Sequence, residues 1–215
     1  MISPFVRPVR RAAAGVACAA LLTGMVGCTS DTNSTPEPSP LPGATTGAAP
    51  TLVAKPVPMM VRVARVSGRL RKSSQASLER NIARTISGYW DAAYLGGEYP
   101  RSDFDESFRA FSGGVEGVRH DDRSFLTNSN LGQSTQSVAA EEKKAWLAVL
   151  APNKVAAGVT ARIRLVYVAD RGEAPAQRVT ISGRLLLTRK KSGGWEIFGY
   201  DVTRSAGPAE NGASR

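Results

Sequence analysis

Leu78, Ile82, Ile86, Trp90 and Tyr94 recur at every fourth residue, and runs of alternating apolar side chains follow in the last third of the chain. A stripe at that spacing lies along one face of a helix and has to be covered. Alternating runs give strands with one covered face. A one-faced helix and several one-faced strands bury these surfaces most simply against each other. The expected architecture is therefore α+β, with a long N-terminal helix and short helices packed on a curved antiparallel sheet.

The element boundaries follow from local signals. Met60 to Leu70 alternates loosely, with Val61, Val63 and Val66 on one side, and reads as a first strand. Ser73 and Ser74 offer N-cap oxygens for the long helix, Glu79 is assigned to its first turn, and Gly96-Gly97 stops it. Gly88 inside this helix costs about 1 kcal/mol relative to alanine, so a close approach by a neighbouring backbone is expected there. Ser102-Asp103-Phe104-Asp105 has the form of a capping box, with Phe104, Phe108 and Phe111 at helical spacing behind it. A further short helical piece is expected between Val115 and Phe125. Thr127 to Gln136 is polar and turn-rich and reads as a flexible rim.

The rest reads as sheet. Glu141-Glu142-Lys143-Lys144 favours helix, but three strands follow directly, so Val138 to Leu150 is assigned as a strand. Val159, Ala161, Ile163, Leu165 and Tyr167 share one face of the next, with Arg162 and Arg164 on the other. Val179, Ile181, Leu185 and Leu187 repeat the pattern, and Ser192-Gly193-Gly194 turns into Trp195 to Val202. These elements define one domain, residues 59–205, with residues 206–215 as a frayed tail.

Ahead of the domain the composition changes. Residues 28–58 are dominated by Ser, Thr, Pro, Gly and Ala, with seven of the 13 prolines of the chain, and cannot bury enough to fold. As a flexible coil such a linker spans roughly 30 Å. Before it, Arg7, Arg10 and Arg11 precede 15 uncharged residues, Ala12 to Val26. That is the anatomy of a secretory signal, too short for a permanent span. Cleavage elsewhere, for instance at Ala17-Cys18-Ala19, would give a secreted protein instead.

Met25-Val26-Gly27-Cys28 resembles the lipobox of bacterial lipoproteins, with Met25 standing where leucine is usual. The resemblance implies a signal peptide of residues 1–27, cleavage after Gly27 and a diacylglycerol, palmitate-type anchor on Cys28. It places the chain on the extracytoplasmic side of a cell membrane. Cys18 would leave with the signal, so no disulfide, thiolate metal cluster or cysteine nucleophile is expected in the mature chain. The loss of three arginines leaves 25 basic against 18 acidic side chains, a net of +7. Outside the cell, the anionic neighbours of such a surface are phospholipid head groups and wall polymers rather than nucleic acid.

The element order, Tyr89-Trp90-Asp91-Ala92-Ala93-Tyr94 and Gly194-Trp195-Glu196-Ile197-Phe198-Gly199-Tyr200 together resemble the nuclear transport factor 2-like, or ketosteroid isomerase-like, cone. The N-terminal strand departs from the usual helix-first order. The layout is also similar to that of uncharacterised actinobacterial lipoproteins. The resemblance implies a pocket between helices and sheet, for which Trp90, Tyr94, Tyr99 and Tyr200 are the lining candidates. In enzymes of that fold an aspartate base works there beside a tyrosine or protonated aspartate. Asp91, His120 and Tyr94 are the weak catalytic candidates here, with Asp121, Asp122 and Asp201 nearby in kind. His120 lies within Arg119-His120-Asp121-Asp122-Arg123, which reads more simply as a solvated face.

No phosphate-cradling glycine loop, metal-ligand spacing or nucleophile elbow is present, so no cofactor is expected. Arg162, Arg164 and Arg184 share an outer sheet face and are the candidates for contact with an anionic lipid or partner. Two functions follow. One is a lipid-anchored, non-catalytic domain binding an envelope protein, an anionic lipid or a small apolar ligand, with self-association through the sheet as a candidate assembly. The other is a small cofactor-independent isomerase or dehydratase.

Overall fold

The computed structural model describes residues 56–209. The expected signal (1–27), Cys28, the linker as far as residue 55, and residues 210–215 lie outside them. The described chain runs through β1 (Met60–Gly68), α1 (Lys72–Trp90), a π-helical turn (Asp91–Leu95) and three 3-10 turns, Asp105–Ala110, Gly114–Gly117 and His120–Asp122. Then come α2 (Arg123–Leu126), α3 (Ser129–Gly132), β2 (Ser137–Ala151), β3 (Gly158–Arg171), β4 (Ala174–Arg189) and β5 (Trp195–Pro208). The strands form one curved sheet in sequence order, β1-β2-β3-β4-β5. β2 to β5 are an antiparallel meander, and β1 adds to its edge in parallel with β2. The protein is mixed α+β, with a long helix and short helices on a five-stranded sheet.

All five stripe residues of the helix are buried, with Ile82, Ile86, Trp90 and Tyr94 at 0% exposure. In an α-helix a strict four-residue repeat drifts by about 40° per step. The last step is taken in the wider π-turn, where the Gly96 N–H reaches the Asp91 carbonyl at 2.6 Å. This holds Tyr94 on the face that Trp90 leaves. The opposing layer consists of the inward residues of β2, β3 and β4, among them Leu147, Ile163, Leu165, Ile181 and Leu185. Val61, Val63 and Val66 all pack on this core because β1 carries a bulge between Val63 and Arg65, which converts a spacing of three into one face.

Several local expectations are corrected. The long helix begins at Lys72 after Arg71, and neither Ser73 nor Ser74 caps it. Its first turn holds no acidic residue. Glu79 accepts the Val63 N–H at 2.7 Å, so it satisfies part of the free edge of β1. The Ser102 capping box does not form, because Asp103 instead accepts the Asp105 N–H and the segment winds as a 3-10 turn. Phe104, Phe108 and Phe111 are nevertheless all buried. Strand β5 continues through Ala206, Gly207 and Pro208, past the expected start of the frayed tail at residue 206.

The Thr127 to Gln136 segment is not a loose rim. Thr127, Asn128 and Thr135 are among the most buried polar residues of the described chain.

Gly88 is the clearest correction. No atom outside its own helix turn lies within 4 Å of where its Cβ would stand, so nothing in the packing requires glycine. Gly88→Ala is therefore expected to stabilise the fold by about 0.5 to 1 kcal/mol through helix propensity. Urea unfolding checks this, and a loss of stability would show that the position is constrained after all.

Candidate functional site

Two regions are rich enough in functional side chains to be sites: the interior beneath the end of α1 and the outer face of the sheet. The interior is polar at its centre. Tyr89 lies on the last turn of α1 and Tyr94 on the π-turn that follows, Tyr167 faces inward from β3, and all three are essentially fully buried. Asn128, at the start of α3, sits between them at 0% exposure. Its amide N–H donates to the Tyr99 hydroxyl at 3.2 Å. Its amide oxygen accepts from the Tyr167 hydroxyl and from the Arg204 guanidinium, both at 2.9 Å.

Arg204 enters from β5 and donates further to the Ser124 and Thr127 carbonyls. No carboxylate stands within ion-pair distance of it among the described residues. Tyr89 donates to the Leu126 carbonyl at 2.7 Å and Tyr94 to the Phe125 carbonyl at 2.8 Å. The tyrosines and Arg204 thus clamp residues 124–128 to the helix and sheet by their hydrogen-bonding groups.

The electrostatics of this cluster suit a structural role. Burial pushes the Tyr89, Tyr94 and Tyr167 phenols well above their usual range, while the Arg204 charge opposes the shift at Tyr94 and Tyr167. Burial also raises Tyr99. The neutral phenols act here as hydrogen-bond donors to the Leu126 and Phe125 carbonyls and to Asn128.

The four pocket candidates fall in different places. Trp90 and Tyr94 are part of the solid core. Tyr99 is half-buried and donates to the Tyr94 carbonyl. Tyr200 packs edge-on against Phe111 and donates to Asp122 at 2.8 Å. Among the described residues, five surface hollows span about 360 to 1030 Å³; Tyr99 lines one of them with Gln136 and Val138, and none of the five has Trp90, Tyr94 or Tyr200 in its lining. The Trp90 Nε1–H is buried without an acceptor, and none of those hollows reaches it.

The catalytic candidates are not brought together. Asp91 is exposed at the start of the π-turn. His120 and Asp121 approach at 3.8 Å, but both side chains are more than 80% exposed. Asp201 lies in mid-strand on β5 and pairs with Arg184.

The outer sheet face does assemble its candidates. Residues directly paired across strands share a face, and the register aligns Arg62, Trp146, Arg162, Arg184 and Asp201 in one row across β1 to β5. Lys144 and Arg164 stand opposite each other in the neighbouring row. The hollow here is the largest of the five, about 1030 Å³, lined among others by Trp146, Arg162, Arg164 and Arg184. Gly183, at φ +140°, lies at its floor, where a Cβ would strike the Asp201 carbonyl.

Asn128 and Arg204 were missed by sequence reading. For Arg204 a signal existed: continuing the parity of Tyr200 and Val202 along β5 puts an arginine on the inward face. For Asn128 the polar run around it carried no such sign. No family model, curated protein or solved structure matches the chain.

Proposed function

We propose that this is a lipid-anchored extracytoplasmic protein whose domain is a non-catalytic interaction module of the nuclear transport factor 2-like type, working through its surface. The observation that carries this reading is the contrast between the two faces of the sheet. The inner face, where an enzyme or carrier of that cone would keep its pocket, is filled by Trp90, Tyr94 and Tyr167. The outer face presents an open hollow lined with arginines.

The alternative, an isomerase using Asp91 or His120, has no observation in its favour, because both side chains project into solvent away from the described hollows. The hollows that border α1 are lined by its flank and by Trp195, and they do not include Trp90 or Tyr94. Among the described residues no helix is long and apolar enough to cross a membrane, and the proposed attachment is the lipid on Cys28.

Two measurements test the proposal. In the native host, an acyl-chain label is expected on the wild-type chain and not on Cys28→Ala, with the wild type partitioning into detergent; an unlabelled wild type overturns the anchor. Denaturing extraction of the purified protein followed by mass spectrometry is expected to release no stoichiometric small molecule. A recovered apolar ligand would overturn the surface reading.

A further inference from the structure

We propose that the outer face of the sheet rests on the anionic bilayer in which the chain is anchored, with the arginine row on lipid phosphates and Trp146 at the interface. This deepens the interaction reading above and rests on it for the anchor.

The charge arrangement is the first argument. Around the hollow the register places the cations Arg62, Arg65, Lys144, Arg162, Arg164 and Arg184 with the carboxylates Glu142 and Asp201, and farther along the same face it adds Arg178, which pairs with Glu141, and Asp170 and Glu196. Glu142 is divided between Lys144 at 3.4 Å and Arg164 at 3.2 Å, and Asp201 holds Arg184. Arg62 and Arg162 have no carboxylate within 4 Å among the described residues. Arg162 and Arg184 are moreover direct cross-strand partners, and like charges placed opposite each other destabilise a sheet. An external anion between them removes that repulsion.

The apolar component selects the kind of anion. Along the outer side of β2, Trp146, Ala148 and Leu150 form a ridge beside the cations, with Trp146 38% and Leu150 56% exposed. A soluble polyanion makes no use of such a ridge. An anionic bilayer takes both parts, since phosphates meet the guanidinium groups while indole and leucine enter the interfacial zone. A second copy of the chain fits poorly, because face-to-face packing would set one cation-rich hollow against another.

The third argument is where the tether arrives. Met60, the first residue of β1, is 46% exposed and pairs with Lys144 at the rim of this face. A chain anchored upstream therefore enters the described domain at the rim of this face.

The test uses the mature-length chain, residues 28–215, carrying Cys28→Ser so that it bears no lipid. It is mixed with vesicles of phosphatidylcholine or of phosphatidylcholine with one-third phosphatidylglycerol, and co-sedimentation and tryptophan emission are measured. Binding to the anionic vesicles alone is expected, with a blue shift in emission. Trp90 and Trp195 are already buried, so Trp146→Phe should abolish the shift. Each charge removed near an anionic surface weakens binding about fivefold, so Arg62→Gln with Arg162→Gln should weaken it about thirtyfold.

Both substituted positions are exposed, and an unchanged melting temperature confirms that the variants fold. Equal binding to both vesicle types, binding to neither, or an unaffected double variant would overturn the proposal. So would equally tight binding of soluble poly(glycerol phosphate), or a concentration-dependent dimer abolished by the same double variant. Because the protein in this assay carries no lipid, failure here together with acyl labelling of the wild type would refute the docking face and leave the anchor standing.

Discussion

Replacing Asn128 with alanine is expected to lower the unfolding free energy by about 3 kcal/mol, the cost of removing hydrogen bonds to a charged group and leaving buried partners unpaired. Asn128 bonds three groups from three different elements: Tyr99 after the π-turn, Tyr167 on β3 and Arg204 on β5. Without the amide, Arg204 keeps the Ser124 and Thr127 carbonyls, but the Tyr167 hydroxyl retains only a weak contact to Arg204 at 3.5 Å. An alanine leaves space without supplying an acceptor, so the arginine charge is less well satisfied than before. Equilibrium denaturation measures this. A loss below 1 kcal/mol would show that the cluster does not hold the fold together.

Alkaline pH should unfold the protein abruptly. In the folded chain burial holds the Tyr89, Tyr94 and Tyr167 phenols well above the ordinary value of about 10. In the unfolded chain they titrate normally. The sign follows: below pH 10 both states are protonated and the stabilisation is present in full. Above pH 10 the unfolded state loses protons that the folded state keeps, and stability falls as pH rises.

Each such group contributes a slope of about 1.4 kcal/mol per pH unit, so three give about 4 kcal/mol per pH unit. Against a typical domain stability of about 5 to 15 kcal/mol, unfolding is complete within a few pH units above 10. Phenolate absorbance and circular dichroism are expected to change together. Titration of all five tyrosines near pH 10 with the fold intact would contradict the buried cluster.

The two effects have one origin. The space under α1 that would hold a ligand is occupied by side chains whose polar ends meet at Asn128 and Arg204. The same filling is what makes the interior sensitive to a single amide or to phenol ionisation. On the outer face Arg162 and Arg184 are direct cross-strand neighbours, and the proposed contact with an anionic bilayer rests on that arrangement.

Much of this architecture was legible in the chain. Residues four apart from Leu78 to Tyr94 required a buried helix face, and alternation in β3 and β4 assigned each side chain to the inside or outside. Arg162, Arg164 and Arg184 were placed on one outer face by parity alone, because a strand's period of two is set by backbone geometry. Periodicity speaks only for regular segments, however. It gave no warning that Ser73, Ser74 and Ser102 would leave their helix ends uncapped, that Glu79 would reach the β1 edge, or that Gly88 would face open space.

The sequence by itself determined which faces are apolar, since that depends on neighbours a few residues away. Only the tertiary structure decided that β1 lies parallel on β2, that an arginine from β5 meets an asparagine 76 residues earlier, and that Trp90, Tyr94 and Tyr167 are buried in one core. Those outcomes rest on contacts between distant segments, whose packing and hydrogen bonding local pattern does not encode.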